Sequence, residues 1–291
     1  MNWLIYAIIG VVLAGASPVL AKSGLRKSNG NLAAALRGTV LLLGAWLIVQ
    51  FTGQYQSLTG IGATTLIYLI FSGIATGLVW IFFIKALKTG DVVRVIPVIE
   101  ASIILDILVG LIFFKEVLTW NSIIILAIFV IGLLMVLIRT KGKGKKRAWL
   151  LPAFVAMALT TVTGTLGRIG ISGVTSDFER LIRYSIALIL VWTVTLVTGG
   201  YKGLRSISFL DGLYLCLSGA AMAGAWYCLH IAYATGTNVT VAIIERFDMV
   251  AAVVLGCVFM RERLSVRAIF GLIFMMAGFL LLLMNLPVYA V

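Results

Sequence analysis

Ten apolar stretches follow one another along this 291-residue chain, at about 3–21, 32–51, 64–84, 95–114, 121–138, 149–171, 182–200, 209–233, 239–260 and 266–287. Each is close to the roughly 20 residues a helix needs to cross the hydrocarbon core of a bilayer. The links between them are short, so little chain is left for a soluble domain. In lipid a spanning segment must satisfy its own backbone hydrogen bonds, and runs of this kind do so as helices. The expected fold class is an all-α membrane protein with ten transmembrane helices. A soluble globule with a rich core is excluded by composition. Hydrophobic residues make up 62% of the chain and charged residues 11%, against about 25% charged in a soluble domain. The first stretch has no basic residue before its apolar run and no clear cleavage site, so it reads as a retained helix.

The net charge of +13 does not indicate nucleic acid, because its placement is that of a membrane anchor. Six basic residues fall in "RTKGKGKKR", Arg139 to Arg147, between the fifth and sixth spans. Such short basic links stay in the cytoplasm, beside anionic headgroups. Alternating outward from this link, the same side receives Arg26, Lys27, Lys88, Arg94, Lys202, Arg205, Arg261, Arg263 and Arg267. That pattern puts both termini outside. Cys216, Cys228 and Cys257 lie in apolar spans without CxxC spacing and read as small packing residues.

Five spans on either side of a basic linker suggest duplication, and one offset, 146 residues, aligns the halves. It sets Arg37 on Arg183, Trp46 on Trp192, Ser72-Gly73 on Ser218-Gly219, Trp80 on Trp226, and Thr89-Gly90 on Thr235-Gly236. It also sets Gly110 on Gly256, "KEVLT" on "RERLS", and Gly132 on Gly278. The expected domains are a first five-helix repeat over 1–138, a basic cytoplasmic linker over 139–148 and a second repeat over 149–291. Repeats with an odd number of spans enter the membrane from opposite sides. The expectation is therefore two inverted repeats around a central cavity, the arrangement secondary transporters use for alternating access.

With an Arg early in the second and seventh spans, Gly-rich third and eighth spans, and "FFKEVLT" and "FMRERLS" before the fifth and tenth, the chain resembles the drug/metabolite transporter superfamily. The resemblance is to its ten-helix, EamA-type branch, over nearly the whole length, with Glu116 and Glu262 as the recurring acids. It implies a basket of helices around a cavity lined by the first, third, fourth, sixth, eighth and ninth, and transport of small organic solutes, often by export. It does not name the substrate. The chain departs from the pattern in "AGASPVLAKSG", where the family often has a Trp-Gly pair, and in Glu100 and Glu245 within the fourth and ninth spans.

An ionisable side chain inside a membrane span is costly and needs a partner, water or a task. Glu100, Asp106, Glu245, Arg246 and Asp248 are such residues. They read either as sites for a substrate cation or a coupling proton, or as a structural ion-pair cluster. On a continuous helix Glu245 and Asp248, three apart, share a face, whereas Glu100 and Asp106 lie roughly 240° apart. The offset gives Glu100 no acidic twin: it matches Arg246, while Glu245 matches Ile99, Ser102 matches Asp248 and Asp106 matches Ala252. The scaffold repeats and its charges do not, as a site for one oriented substrate requires. Trp80, Trp226, Tyr227 and Tyr233 read as an aromatic wall for a cation or as packing and interfacial aromatics. His230, the one histidine, reads as a cavity hydrogen bond, a proton relay or a packing residue. With no second histidine ligand, neither a metal nor another cofactor is expected. Glu116 and Glu262 read as caps beside Thr119 and Ser265.

The expected function is secondary transport of a small polar solute, cationic or zwitterionic and amine- or amino-acid-like, coupled to protons or working by exchange. The alternative is facilitative or exchange transport of nucleobase- or sugar-like metabolites. A membrane enzyme or lipid-processing protein would need a nucleophile–base set or metal ligands that the spans do not offer. No GxxxxGK[ST] phosphate loop is present to use ATP. The expected partners are the solute, the bilayer and protons, with no nucleic acid, at a prokaryotic-type cell membrane.

Overall fold

The computed structural model describes residues 2–26, 28–55, 61–115, 120–137, 147–171 and 173–285. Most of the basic linker, 139–146, together with Glu116 and Thr119, lies outside them. The described residues contain α-helices, short 3-10 turns and no strand. The helices are α1 Asn2–Ser23, α2 Gly30–Thr52, α3 Ala63–Thr89, α4 Val92–Glu100, α5 Ser102–Phe113 and α6 Trp120–Leu137. They continue with α7 Leu150–Gly170, α8 Ser176–Val197, α9 Phe209–Thr235, α10 Asn238–Glu245, α11 Asp248–Phe259 and α12 Val266–Asn285.

Seven helical stretches among the described residues are long and apolar enough to cross a membrane: α1, α2, α3, the α4–α5 stretch, α7, α8 and α9. The apolar parts of α6 and α12, Ile123–Leu137 and Val266–Leu282, are shorter. Apolar side chains such as Ile5, Leu43, Phe71, Ile189 and Phe270 stay exposed, as a lipid-facing surface requires. The sequence reads the fourth and ninth spans as continuous helices. The structure corrects this, because each is two helices in series, α4 then α5 and α10 then α11. Helix bounds also recur at the sequence offset. Ala63–Thr89 and Phe209–Thr235 are 146 residues apart, as are Ser102–Phe113 and Asp248–Phe259. Lys115 and Arg261, again 146 apart, share a left-handed φ of 53°.

The chain forms two compact units. One takes Leu20 to Gly90 and Arg147 to Ala223. Within it α3 packs on α7 and α8, and α2 packs on α8 and α3. Two glycines 146 residues apart, Gly73 and Gly219, mark matching close approaches in it. A Cβ on Gly73 would stand 2.7 Å from Ile186 Cβ and 3.0 Å from the Arg183 carbonyl oxygen, and one on Gly219 would stand 2.8 Å from both Val40 Cβ and the Arg37 carbonyl oxygen. Small residues are what allow helices to approach this closely in membranes.

The other unit takes the chain up to Val19, then α4 to α6, then Gly224 through α12. Here α12 packs on α6 and α10, and α4 packs on α11, α6 and α5. Ala7, Leu229, Ala232 and Val241 form a buried cluster against which Trp3, Tyr233 and Ile244 pack, tying α1, α9 and α10 together.

Candidate functional site

The site begins with the two interrupted spans. Ala101, at φ −69° and ψ 2°, ends α4, and the Ile104 amide donates to the Ala101 carbonyl three residues back at 3.0 Å. In the ninth span Arg246 (φ −65°, ψ −12°) and Phe247 (φ −74°, ψ −5°) do the same, with the Phe247 amide on the Ile244 carbonyl at 3.0 Å. Both are tightened, 3-10-like turns within an apolar span. Pro97 withholds an amide from α4 and helps break it. It is not the common cause, because Ile243 stands at the matching position of α10. Half-helices of this kind expose backbone dipoles and side chains at membrane depth, where transporters bind solutes and ions.

The start of α4 is fixed by a remote carboxylate. Asp91 occupies the N-cap position, but its side chain does not cap the helix. Glu262 does, with Oε1 accepting from the Val92 amide at 3.1 Å and Oε2 from the Val93 amide at 3.0 Å. The sequence reads Glu262 as a cap near its own helix, and the structure shows it capping α4. A carboxylate at a helix N-terminus satisfies orphan amides and complements the helix dipole.

At the breaks the charged side chains meet. Glu100 Oε2 lies 3.7 Å from Arg246 Nη1, with side chains 27% and 36% exposed respectively. Glu245 and Asp248 also bear electrostatically on the Arg246 guanidinium, as does Tyr233. Tyr233 Oη donates to Glu245 Oε2 at 2.5 Å. Asp248 Oδ1 accepts from the Met249 amide at 2.6 Å, at the start of α11. The guanidinium sits 5.5 Å from the centre of the Phe279 ring, and Nε is buried without a hydrogen-bond partner among the described residues. Three carboxylates thus bear on one cation, with Glu100 at 3.7 Å. Opposite charges about 4 Å apart attract by about 4 kcal/mol at an effective dielectric of about 20. Desolvation costs several kcal/mol per ion, less for side chains partly exposed as these are, so the Glu100–Arg246 contact adds no large net stability. At 3.7 Å it is not a hydrogen bond.

The wheel angles read from the sequence do not apply, because a break falls between Glu245 and Asp248 and another between Glu100 and Asp106. Asp106 lies partly buried on α5, beyond the break. Trp226 and His230 are partly buried on α9, and Tyr227 is exposed there. Trp80 stands in the other unit, 6% exposed, its ring edge-on to Tyr184 at 5.1 Å. Phe279 is the contact sequence reasoning missed, and nothing distinguishes it there from other core aromatics. No group of three His, Cys, Asp or Glu fit to hold a metal occurs among the described residues.

A chain whose described residues form several membrane-length apolar helices, with ionisable groups gathered where two spans break, is a multi-pass membrane protein. It belongs to the EamA-like transporter family, whose model matches residues 1–138 and 147–284. It is thus a membrane transporter of the drug/metabolite superfamily. Over 115 residues it is 35% identical to an "uncharacterized transporter in cobO 3'region" from Sinorhizobium sp., covering 40% of this chain and 82% of that one. A solved crystal structure of a protein aligns with a TM-score of 0.62 at 15% identity, over 95% of this chain and 94% of the other. That likeness is one of fold.

Proposed function

We propose that the protein is a secondary transporter of a small cationic or zwitterionic solute, of amine or amino-acid type, at the cell membrane. Its cycle is alternating access between two inverted five-helix repeats, 1–138 and 149–291, joined by the linker 139–148. It is coupled to protons or works by exchange. The observation that carries the substrate class is the charge at the breaks, where Glu100, Glu245 and Asp248 oppose the single Arg246. A surplus of carboxylate at membrane depth favours a cation, since each unpaired charge there is costly. The repeat is supported by the paired helix bounds and by the spacing of the two family matches. A thermal-shift screen of the purified protein against amines, amino acids and nucleobases tests the class. Stabilisation by amines and amino acids is expected, and stabilisation by nucleobases alone would refute it.

A further inference from the structure

We propose that Arg246 is a built-in substitute for the transported cation, neutralising Glu100 when no substrate is bound so that the empty carrier can reorient. The inference rests on the transporter reading above. Its ground is how differently the three carboxylates are partnered. Glu245 accepts from the Tyr233 phenol at 2.5 Å and Asp248 from the Met249 amide at 2.6 Å, both neutral donors that leave the carboxylate charge in place. The described partner of Glu100 is a guanidinium, 3.7 Å away.

That guanidinium stands at the matching position of the other repeat, 146 residues on. Two equivalent positions that touch lie near the axis relating the repeats, where both halves meet in either state of the cycle. The contact is too long to be a hydrogen bond. An ammonium or amidinium group bringing charge-assisted hydrogen bonds of its own displaces it. Solute and Arg246 therefore take turns on Glu100. A lone carboxylate is costly to carry through the membrane, and this exchange lowers that barrier in the empty form by one charge. The carrier then supports net movement as well as exchange.

The test compares net uptake into empty proteoliposomes with exchange into preloaded ones, at one neutral pH on both sides, using radiolabelled lysine, arginine and putrescine. Arg246→Gln is expected to lower net uptake by about tenfold, a partly exposed pair counting for less than a buried one, and to lower exchange by clearly less. Arg246→Lys restores net uptake. An equal fall in both fluxes, or a wild-type protein that exchanges without net uptake, overturns the inference and leaves the transporter reading standing. A wild-type protein that moves none of the three solutes overturns the cationic reading itself.

A second inference stands on the other unit. Arg37 Nε donates to Ser218 Oγ at 3.1 Å. The matching pair is Arg183 and Ser72, and there the bond is not made: Arg183 Nε and Ser72 Oγ are both buried without a hydrogen-bond partner among the described residues. Arg183 instead pairs with Glu179 at 3.2 Å. The backbones approach alike at both places, through Gly219 on Arg37 and Gly73 on Arg183, so the difference lies in the side chains. We infer that the two bonds alternate, one closed in each state of the cycle. Ser218→Ala then favours the opposite state and Ser72→Ala the present one. In vesicles sealed in each orientation, the ratio of KM values for the two faces shifts by about three- to tenfold, in opposite directions for the two variants. Shifts in the same direction, or none, would overturn it.

Discussion

The Tyr233 phenol reaches across the turn between α9 and α10 to donate to Glu245 Oε2 at 2.5 Å, while its ring packs on the buried Ala7–Leu229–Val241 cluster. One residue thus fixes both a hydrophobic contact and a carboxylate. Tyr233→Phe keeps the ring and removes only the hydrogen bond. The expected loss is about 1–3 kcal/mol, because a partly buried acceptor is left without its donor. Thermal unfolding in detergent measures it, and an unchanged midpoint would refute the structural weight given to this bond.

Glu262 predicts a graded effect. Glu262→Ala uncovers both the Val92 and Val93 amides, at an expected cost of about 1–2 kcal/mol. Glu262→Gln keeps one acceptor and loses the charge, so it costs less. Hydrogen exchange at the first amides of α4 should accelerate in the order Gln, then Ala, while the start of α3 keeps its protection.

The crossing of α6 and α12 predicts a steric effect. A Cβ on Gly132 or Gly271 would stand 2.6 Å from the other's carbonyl oxygen. Neither backbone can yield cheaply, so Gly271→Leu is expected to destabilise by about 1–3 kcal/mol or more. Gly164→Ala, where nothing lies within 4 Å of the added atom, is the control. It should be neutral or stabilising by up to about 1 kcal/mol. Unfolding midpoints of the two variants decide it.

Helices were legible in the sequence wherever an apolar run was long enough to exceed any other reading, as at Ala63–Thr89 and Phe209–Thr235. The breaks were not. Val-, Ile- and Leu-rich runs look alike whether a span continues or tightens for one turn, and Pro97 hints at one break while Ile243 conceals the other. The charged residues stood out individually because their desolvation is costly. Their meeting did not, because the offset equates Glu100 with Arg246 without implying contact. Glu262 shows the same limit: its capping chemistry was readable, but not that its helix begins 170 residues away.

The most direct test of the account is flux of radiolabelled lysine, arginine and putrescine through proteoliposomes carrying wild-type protein, Glu100→Gln or Glu245→Gln, with the recovered solute checked for chemical change. Wild-type protein is expected to move at least one of these solutes unmodified. Each substitution should lower that flux by about tenfold or more, as expected when a charge-assisted contact is lost. Full flux and an unaltered pH profile in both variants would contradict it.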